Sequence, residues 1–107
     1  MLPPRNRFSL SRDKISLRAG KRVENDQLRL VAKSEGGFFK VAIVVSKKVA
    51  ARAVDRNRIR RLITEVIREH IGGIKFQGFL TVIAKQNIAK FKKNQIESKI
   101  LKLIEKL

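Results

Sequence analysis

The strongest pattern in the chain is an apolar run at helical spacing, in which Ile59, Leu62, Ile63, Val66, Ile67 and Ile71 recur every three or four residues. Side chains at that period line one side of an α-helix. Asp55 stands where an N-cap belongs and Gly72-Gly73 follow the last apolar position, so the spacing predicts a helix from about 55 to 71. Ile96, Ile100, Leu103, Ile104 and Leu107 mark a second, carboxy-terminal amphipathic helix. Between the two, Gly78-Phe79-Leu80-Thr81-Val82-Ile83-Ala84-Lys85 reads as a buried strand.

Upstream, the period changes to two. Gln27 to Lys33 alternates weakly, Ser34-Glu35-Gly36-Gly37 supplies turn chemistry, and Phe38 to Ser46 is rich in β-branched and aromatic residues. Two strands joined by a hairpin are expected. In the second strand Phe39, Val41, Ile43 and Val45 share the core face. Phe38, Lys40, Ala42, Val44 and Ser46 share the other, a mixed face able to receive an extended ligand. Ser11-Arg12-Asp13-Lys14 is expected to cap a short helix running to about Ala19 and ending at Gly20, with Ile15 as its apolar contact. Residues 1–10, with Pro3, Pro4, Arg5 and Arg7, read as a basic arm that Phe8 is expected to anchor. The expected order is helix, two strands, helix, strand, helix, in one α/β domain spanning residues 1–107, without internal repeats.

Charge changes the picture from fold to partner. The 107 residues are 43% hydrophobic, enough for a core, yet 26 Lys and Arg face only 9 Asp and Glu, for a formal net charge of +17. A compact domain with this much like charge is destabilised by self-repulsion that a polyanion relieves, and nucleic acid is the commonest one. The apolar runs are too short for a membrane span and Met1-Leu2-Pro3-Pro4-Arg5 is no signal peptide, so cytoplasm is expected. With no cysteine and His70 the sole histidine, thiolate and His-rich metal sites are excluded.

The cations are also clustered. Lys40, Lys47, Lys48, Arg52, Arg56, Arg58, Arg60 and Arg61 surround a single acid, Asp55. At about 100° per residue, Asn57, Arg61, Thr64 and Arg68 fall opposite the apolar stripe, with Arg56 and Arg60 on one flank and Arg58 on the other. The planar guanidinium donates two hydrogen bonds to a phosphate and stacks on bases, which an ammonium does not. The bland alternative is a solvated helix surface braced by pairs of Glu65 with Arg61 or Arg68, but Glu65 and Glu69 cannot neutralise the cluster.

Catalytic chemistry is missing. Asp13, Glu24, Asp26 and Glu35 are scattered, and His70 lies near the end of the buried stripe, where packing or surface exposure explains it better than acid-base work. Gly36-Gly37 and Gly72-Gly73 fit a turn and a helix stop rather than a phosphate loop. The readings left open by the residues are a ribosomal or other RNA-binding protein and, with no helix-turn-helix to favour it, a DNA-binding module.

The run from Ser46-Lys47-Lys48 through Arg52 and Asp55 to Arg56-Asn57-Arg58-Ile59-Arg60-Arg61-Leu62 resembles the signature of the bacterial ribonuclease P protein family. Paired lysines end a strand, and Arg-Asn-Arg opens a helix. The resemblance implies an α/β sandwich like a domain of ribosomal protein S5, with a mainly antiparallel sheet and a left-handed βαβ crossover. It implies a monomeric, non-catalytic subunit bound one to one to a catalytic RNA, which uses magnesium to remove the 5′ leader of precursor tRNA. By position, Lys47, Lys48, Arg52, Arg56, Asn57, Arg58, Arg60 and Arg61 would contact the catalytic RNA, joined by Arg68 on the same helix surface. Lys14, Arg18, Lys40, Ala42 and Ser46 would hold the leader between the first helix and the open sheet face. Two departures stand out: Thr64 replaces a residue that is often basic, and Ile15 and Leu17 replace a phenylalanine pair in a chain without Tyr or Trp. On this reading, replacing Arg56 and Arg60 together by alanine weakens RNA affinity and flattens its salt dependence, with thermal stability nearly unchanged.

Overall fold

The computed structural model describes residues 20–33, 39–70, 73 and 78–107. The expected basic arm, first helix with Lys14 and Arg18, and turn at 34–37, together with Phe38, Ile71 and Gly72, lie outside them. The described elements are β1 (Lys21–Glu24), β2 (Leu28–Lys33), β3 (Phe39–Val44), α1 (Ala53–His70), β4 (Gly78–Ala84) and α2 (Lys93–Glu105). Together they form a mixed α/β fold.

A strand rich in apolar residues suits an inner position, and β4 is one of the two inner strands of the order β1-β2-β4-β3. It runs antiparallel to β2, with Leu30 opposite Val82, and parallel to β3, with Val41 opposite Leu80. Two of the three pairings are antiparallel. Parallel neighbours need a crossover, and α1 supplies it between β3 and β4. Gly78 opens β4 at φ 133°, a conformation that favours glycine.

This order corrects the expected hairpin: β2 and β3 do not pair, because β4 lies between them. The hairpin that does form joins β2 to β1, an edge strand that the sequence pattern does not predict. β1 reads Lys-Arg-Val-Glu, three charges around one apolar residue, so its strand state comes from pairing rather than from its own pattern. Its turn is built by Asn25, whose Oδ1 accepts the backbone N–H groups of Gln27 at 2.9 Å and Leu28 at 2.8 Å. Lys85 closes that turn by donating its ammonium to the Asn25 carbonyl at 2.9 Å and its backbone N–H to the Gln27 carbonyl at 2.8 Å.

Both helices cover one face of the sheet. Leu28, Leu30 and Ala32 of β2, Phe39 and Val41 of β3, and Leu80, Val82 and Ala84 of β4 meet Ile59, Ile63, Val66 and Ile67 of α1 and Ile96, Ile100 and Leu103 of α2. Val45, Ala50, Ile88 and Ala89 extend the core into the connectors. α1 begins two residues before Asp55, which sits in its first turn instead of capping it. At the start of α2, Lys92 donates its backbone N–H to Gln95 Oε1 at 2.9 Å while its carbonyl accepts the Gln95 N–H at 3.0 Å. No helix among the described residues is long and apolar enough to cross a membrane.

Ile63 is fully buried at the centre of this packing. Ile63→Ala removes apolar packing and leaves a cavity, so a destabilisation of about 2–5 kcal/mol is expected, read as a lower urea midpoint by circular dichroism.

Candidate nucleic-acid interface

Burying the apolar stripe of α1 turns its opposite side outward. Asn57, Arg60, Arg61 and Arg68 are exposed there, with Thr64 and Glu65 half-buried between them. These six residues line an open depression of about 300 Å³. Among the described residues no ion pair ties Arg60, Arg61 or Arg68 to an acid, nor does Glu65 form the expected pairs with Arg61 or Arg68. Among the described residues Arg60 makes a long contact of 3.4 Å to Asn57 Oδ1.

The other arginines of the signature do internal work. Arg56 donates from one guanidinium nitrogen to the carbonyls of Ala50 at 2.9 Å and Ala51 at 2.8 Å. It therefore fixes the connector that follows Lys47 and Lys48. Both lysines are exposed in a turn where the Ser46 carbonyl accepts the N–H groups of Val49 and Ala50, and where Ser46 Oγ accepts the Val49 N–H at 3.3 Å. Ser46, expected on the open sheet face, thus lies beyond the end of β3 as a turn residue.

Arg58 Nε donates to the Ala89 carbonyl and fastens the 85–92 connector to α1. Asn87 Nδ2 adds a bond to Asp55 Oδ2 at 3.3 Å. Arg52 lies exposed against Asp55, at 3.1 Å. The Arg52 guanidinium first, then the Asn87 amide, hold the Asp55 carboxyl below the usual carboxylate range. Arg56 and Arg58 are therefore clamps as well as cations, and the two bonds of Arg56 argue against the expectation that it is dispensable for stability. One connector carries Lys47 and Lys48, and the other carries Lys90 and Lys92, so the clamps help to place these cations.

The second sheet face carries the residues that alternate with the core: Lys40, Ala42 and Val44 of β3, Phe79, Thr81 and Ile83 of β4, Arg29, Val31 and Lys33 of β2, and Arg22 and Glu24 of β1. One row across it reads Lys33, Phe79, Lys40. The Lys40 ammonium stands 6.0 Å from the Phe79 ring centroid. Sequence pattern alone does not single out Phe79, because its place beside two lysines depends on the β4 register. On β1 and β2, Arg29 pairs with Glu24 at 2.6 Å; this bond, and then the charges of Arg29 and Lys85, keep the Glu24 carboxyl below its ordinary range.

At the other end of α1, atoms of Glu69, His70 and Glu97 lie within 4.8 Å of one another. Lys93 bonds to Glu69 and lowers its pKa, while His70 Nε2 lies 3.1 Å from Glu97 Oε2. The cluster thus has its own internal cation and braces α1 against α2.

Residues 5–107 match the ribonuclease P family profile. The ribonuclease P protein component of Legionella pneumophila (strain Corby) is 31% identical over 90 residues, covering 83% of this chain and 75% of the relative. That of Idiomarina loihiensis is 45% identical over 62 residues, covering 55% of this chain and 46% of the relative. The match to the corresponding protein of Thioalkalivibrio sulfidiphilus spans 34% of that protein; the chain thus spans less than half the length of these last two relatives. The RNase P protein of Staphylococcus aureus superposes with a TM-score of 0.81 at 27% identity, over 94% of this chain and 93% of that one. The Thermotoga maritima RNase P protein shares the fold, with a TM-score of 0.84 at 24% identity over 96% and 98% of the two chains.

The two kinds of arginine separate by experiment. Arg58→Ala leaves the Ala89 carbonyl without its donor and is expected to lower stability by about 1 kcal/mol in urea unfolding. Arg60→Ala combined with Arg61→Ala is expected to leave the unfolding midpoint within error. The same pair should weaken RNA binding and reduce the log-log salt slope by roughly 0.7–0.9 for each phosphate that is no longer neutralised.

Proposed function

The chain belongs to the ribonuclease P protein family, and we propose that it is the protein subunit of a ribonuclease P holoenzyme that removes the 5′ leader of precursor tRNA. Hydrolysis is assigned to the partner RNA, which would use magnesium held by its own phosphate oxygens. The protein binds that RNA one to one as a monomer in the cytoplasm. The observation that carries this reading is the outward side of α1, where Arg60, Arg61 and Arg68 have no acidic partner among the described residues. It faces the catalytic RNA together with Lys47, Lys48, Arg52, Asn57 and the free edges of Arg56 and Arg58.

Two polyanions meet in such a holoenzyme, and cations held in place between them lower their repulsion while releasing condensed counterions. The leader is assigned to the second sheet face. Lys40 and Ala42 face it in register with Phe79 and Thr81, and the turn at Ser46 continues from the end of β3. Phe79 supplies there an apolar ring on which a single-stranded base can stack. Lys14 and Arg18 belong to the same proposal through the family resemblance. Among the described residues, the candidate ligand cluster of Glu69, His70 and Glu97 has Lys93 bonded to Glu69, a poor match for magnesium, which takes oxygen ligands in near-octahedral array.

Adding the chain to cognate catalytic RNA at low magnesium should raise precursor tRNA cleavage sharply. No change would instead favour a ribosomal or other structural RNA-binding protein. Phe79→Ala should reduce the affinity gained from a long leader by roughly fivefold or more, the loss of about one stacked base. Precursors with a single-nucleotide leader should be unaffected by that substitution, and equal losses on both substrates would remove Phe79 from the leader site.

A further inference from the structure

Glu65 is out of place on a phosphate-binding surface. It lines the α1 depression with Asn57, Arg60, Arg61, Thr64 and Arg68, is half-buried, and is in no ion pair among the described residues. Lys93 on α2, whose charged form Glu65 helps to favour, is itself bonded to Glu69. A carboxylate in this position repels phosphate, so an RNA backbone alone is a poor occupant. The complement of a carboxylate's two oxygens is a pair of adjacent N–H donors.

Among the RNA bases only guanine presents two such donors side by side, N1–H and the N2 amine, on its Watson–Crick edge. Adenine and cytosine offer a single exocyclic amine there, and uracil offers N3–H between two carbonyls that a carboxylate repels. Bases in single-stranded RNA are read on these edges and stack on guanidinium planes. The remaining lining residues suit the rest of such a nucleotide: Arg60, Arg61 and Arg68 for its phosphates or base plane, and Asn57 and Thr64 for guanine O6 and N7 or the ribose hydroxyl. We propose that this depression binds one unpaired guanosine of an RNA strand, with Glu65 accepting from the guanine N1–H and N2–H groups. The inference rests on the reading that the outward side of α1 meets RNA, and adds a base preference to it.

The test uses the full chain and labelled hexaribonucleotides that differ at one position, carrying guanosine, inosine or adenosine, with affinity read by fluorescence anisotropy. The unsubstituted protein should prefer guanosine over adenosine by about tenfold, with inosine, which lacks the N2 amine, between them. Glu65→Gln should bring the guanosine-to-adenosine ratio close to one without weakening adenosine binding, since it also removes a negative charge. Circular dichroism melting confirms that the substituted chain is folded. Equal affinity of the unsubstituted protein for the three oligonucleotides, or an unchanged ratio in Glu65→Gln, overturns the proposal.

Reconstituted holoenzyme then identifies the source of the base. A Glu65→Gln defect confined to precursors with a guanosine in the leader assigns it to the substrate, and a defect in binding the catalytic RNA itself assigns it to that RNA. Stimulated cleavage without guanosine preference removes this inference and leaves the proposed function standing. Guanosine preference without stimulated cleavage does the reverse.

Discussion

Packing of Ile59, Ile63, Val66 and Ile67 of α1 against the apolar face of the sheet is the contact from which the remaining geometry follows. A helix with one buried stripe has no freedom to rotate about its axis, because turning it exposes those side chains to water. The outward position of Arg60, Arg61 and Arg68 is thus an indirect product of hydrophobic burial. Like charges concentrated on one surface repel one another, and apolar burial on the other side of the same helix holds them in place.

A rigid helix is not enough to present cations that lie on connectors. Arg56 and Arg58 solve this locally, each giving guanidinium N–H groups to main-chain carbonyls that no helix or strand satisfies. Such a carbonyl is better satisfied by a charged donor than by a neutral one. Arginine is suited to both tasks at once because a nitrogen engaged with the chain leaves the other edges of the fork able to reach phosphate. The arginine cluster therefore combines direct cations with cations that order their neighbours, and the spacing along the chain does not distinguish them.

Helical periodicity was legible because burial on one side of a helix imposes its period on the residues themselves, and α1 and α2 were placed within a few positions. β4 was recognisable for a related reason, since it reads as a near-continuous apolar run whose Leu80, Val82 and Ala84 are buried under the helices. β1 escaped notice because an edge strand in water needs no apolar alternation, and its partner β2 supplies the order. The false hairpin between β2 and β3 came from a sound local argument, turn residues between two strand-like runs, which had no access to the distant segment that separates them. Phe79 was legible only as a strand residue; its place in the row with Lys33 and Lys40 required the register of three strands.

What the sequence by itself determined is the set of quantities that depend on composition and local period: a basic chain of net charge +17, helices at the two apolar stripes, a buried strand at 78–84, and a cationic helix surface. Tertiary structure alone decided which strands pair, which arginines bond to carbonyls of remote connectors, and that Glu65 stands without an ion-pair partner among cations of the described residues. The physical reason is range. Periodicity and charge are carried by neighbouring residues, whereas strand order and the partner of a long guanidinium depend on segments that meet only when the chain closes around one core.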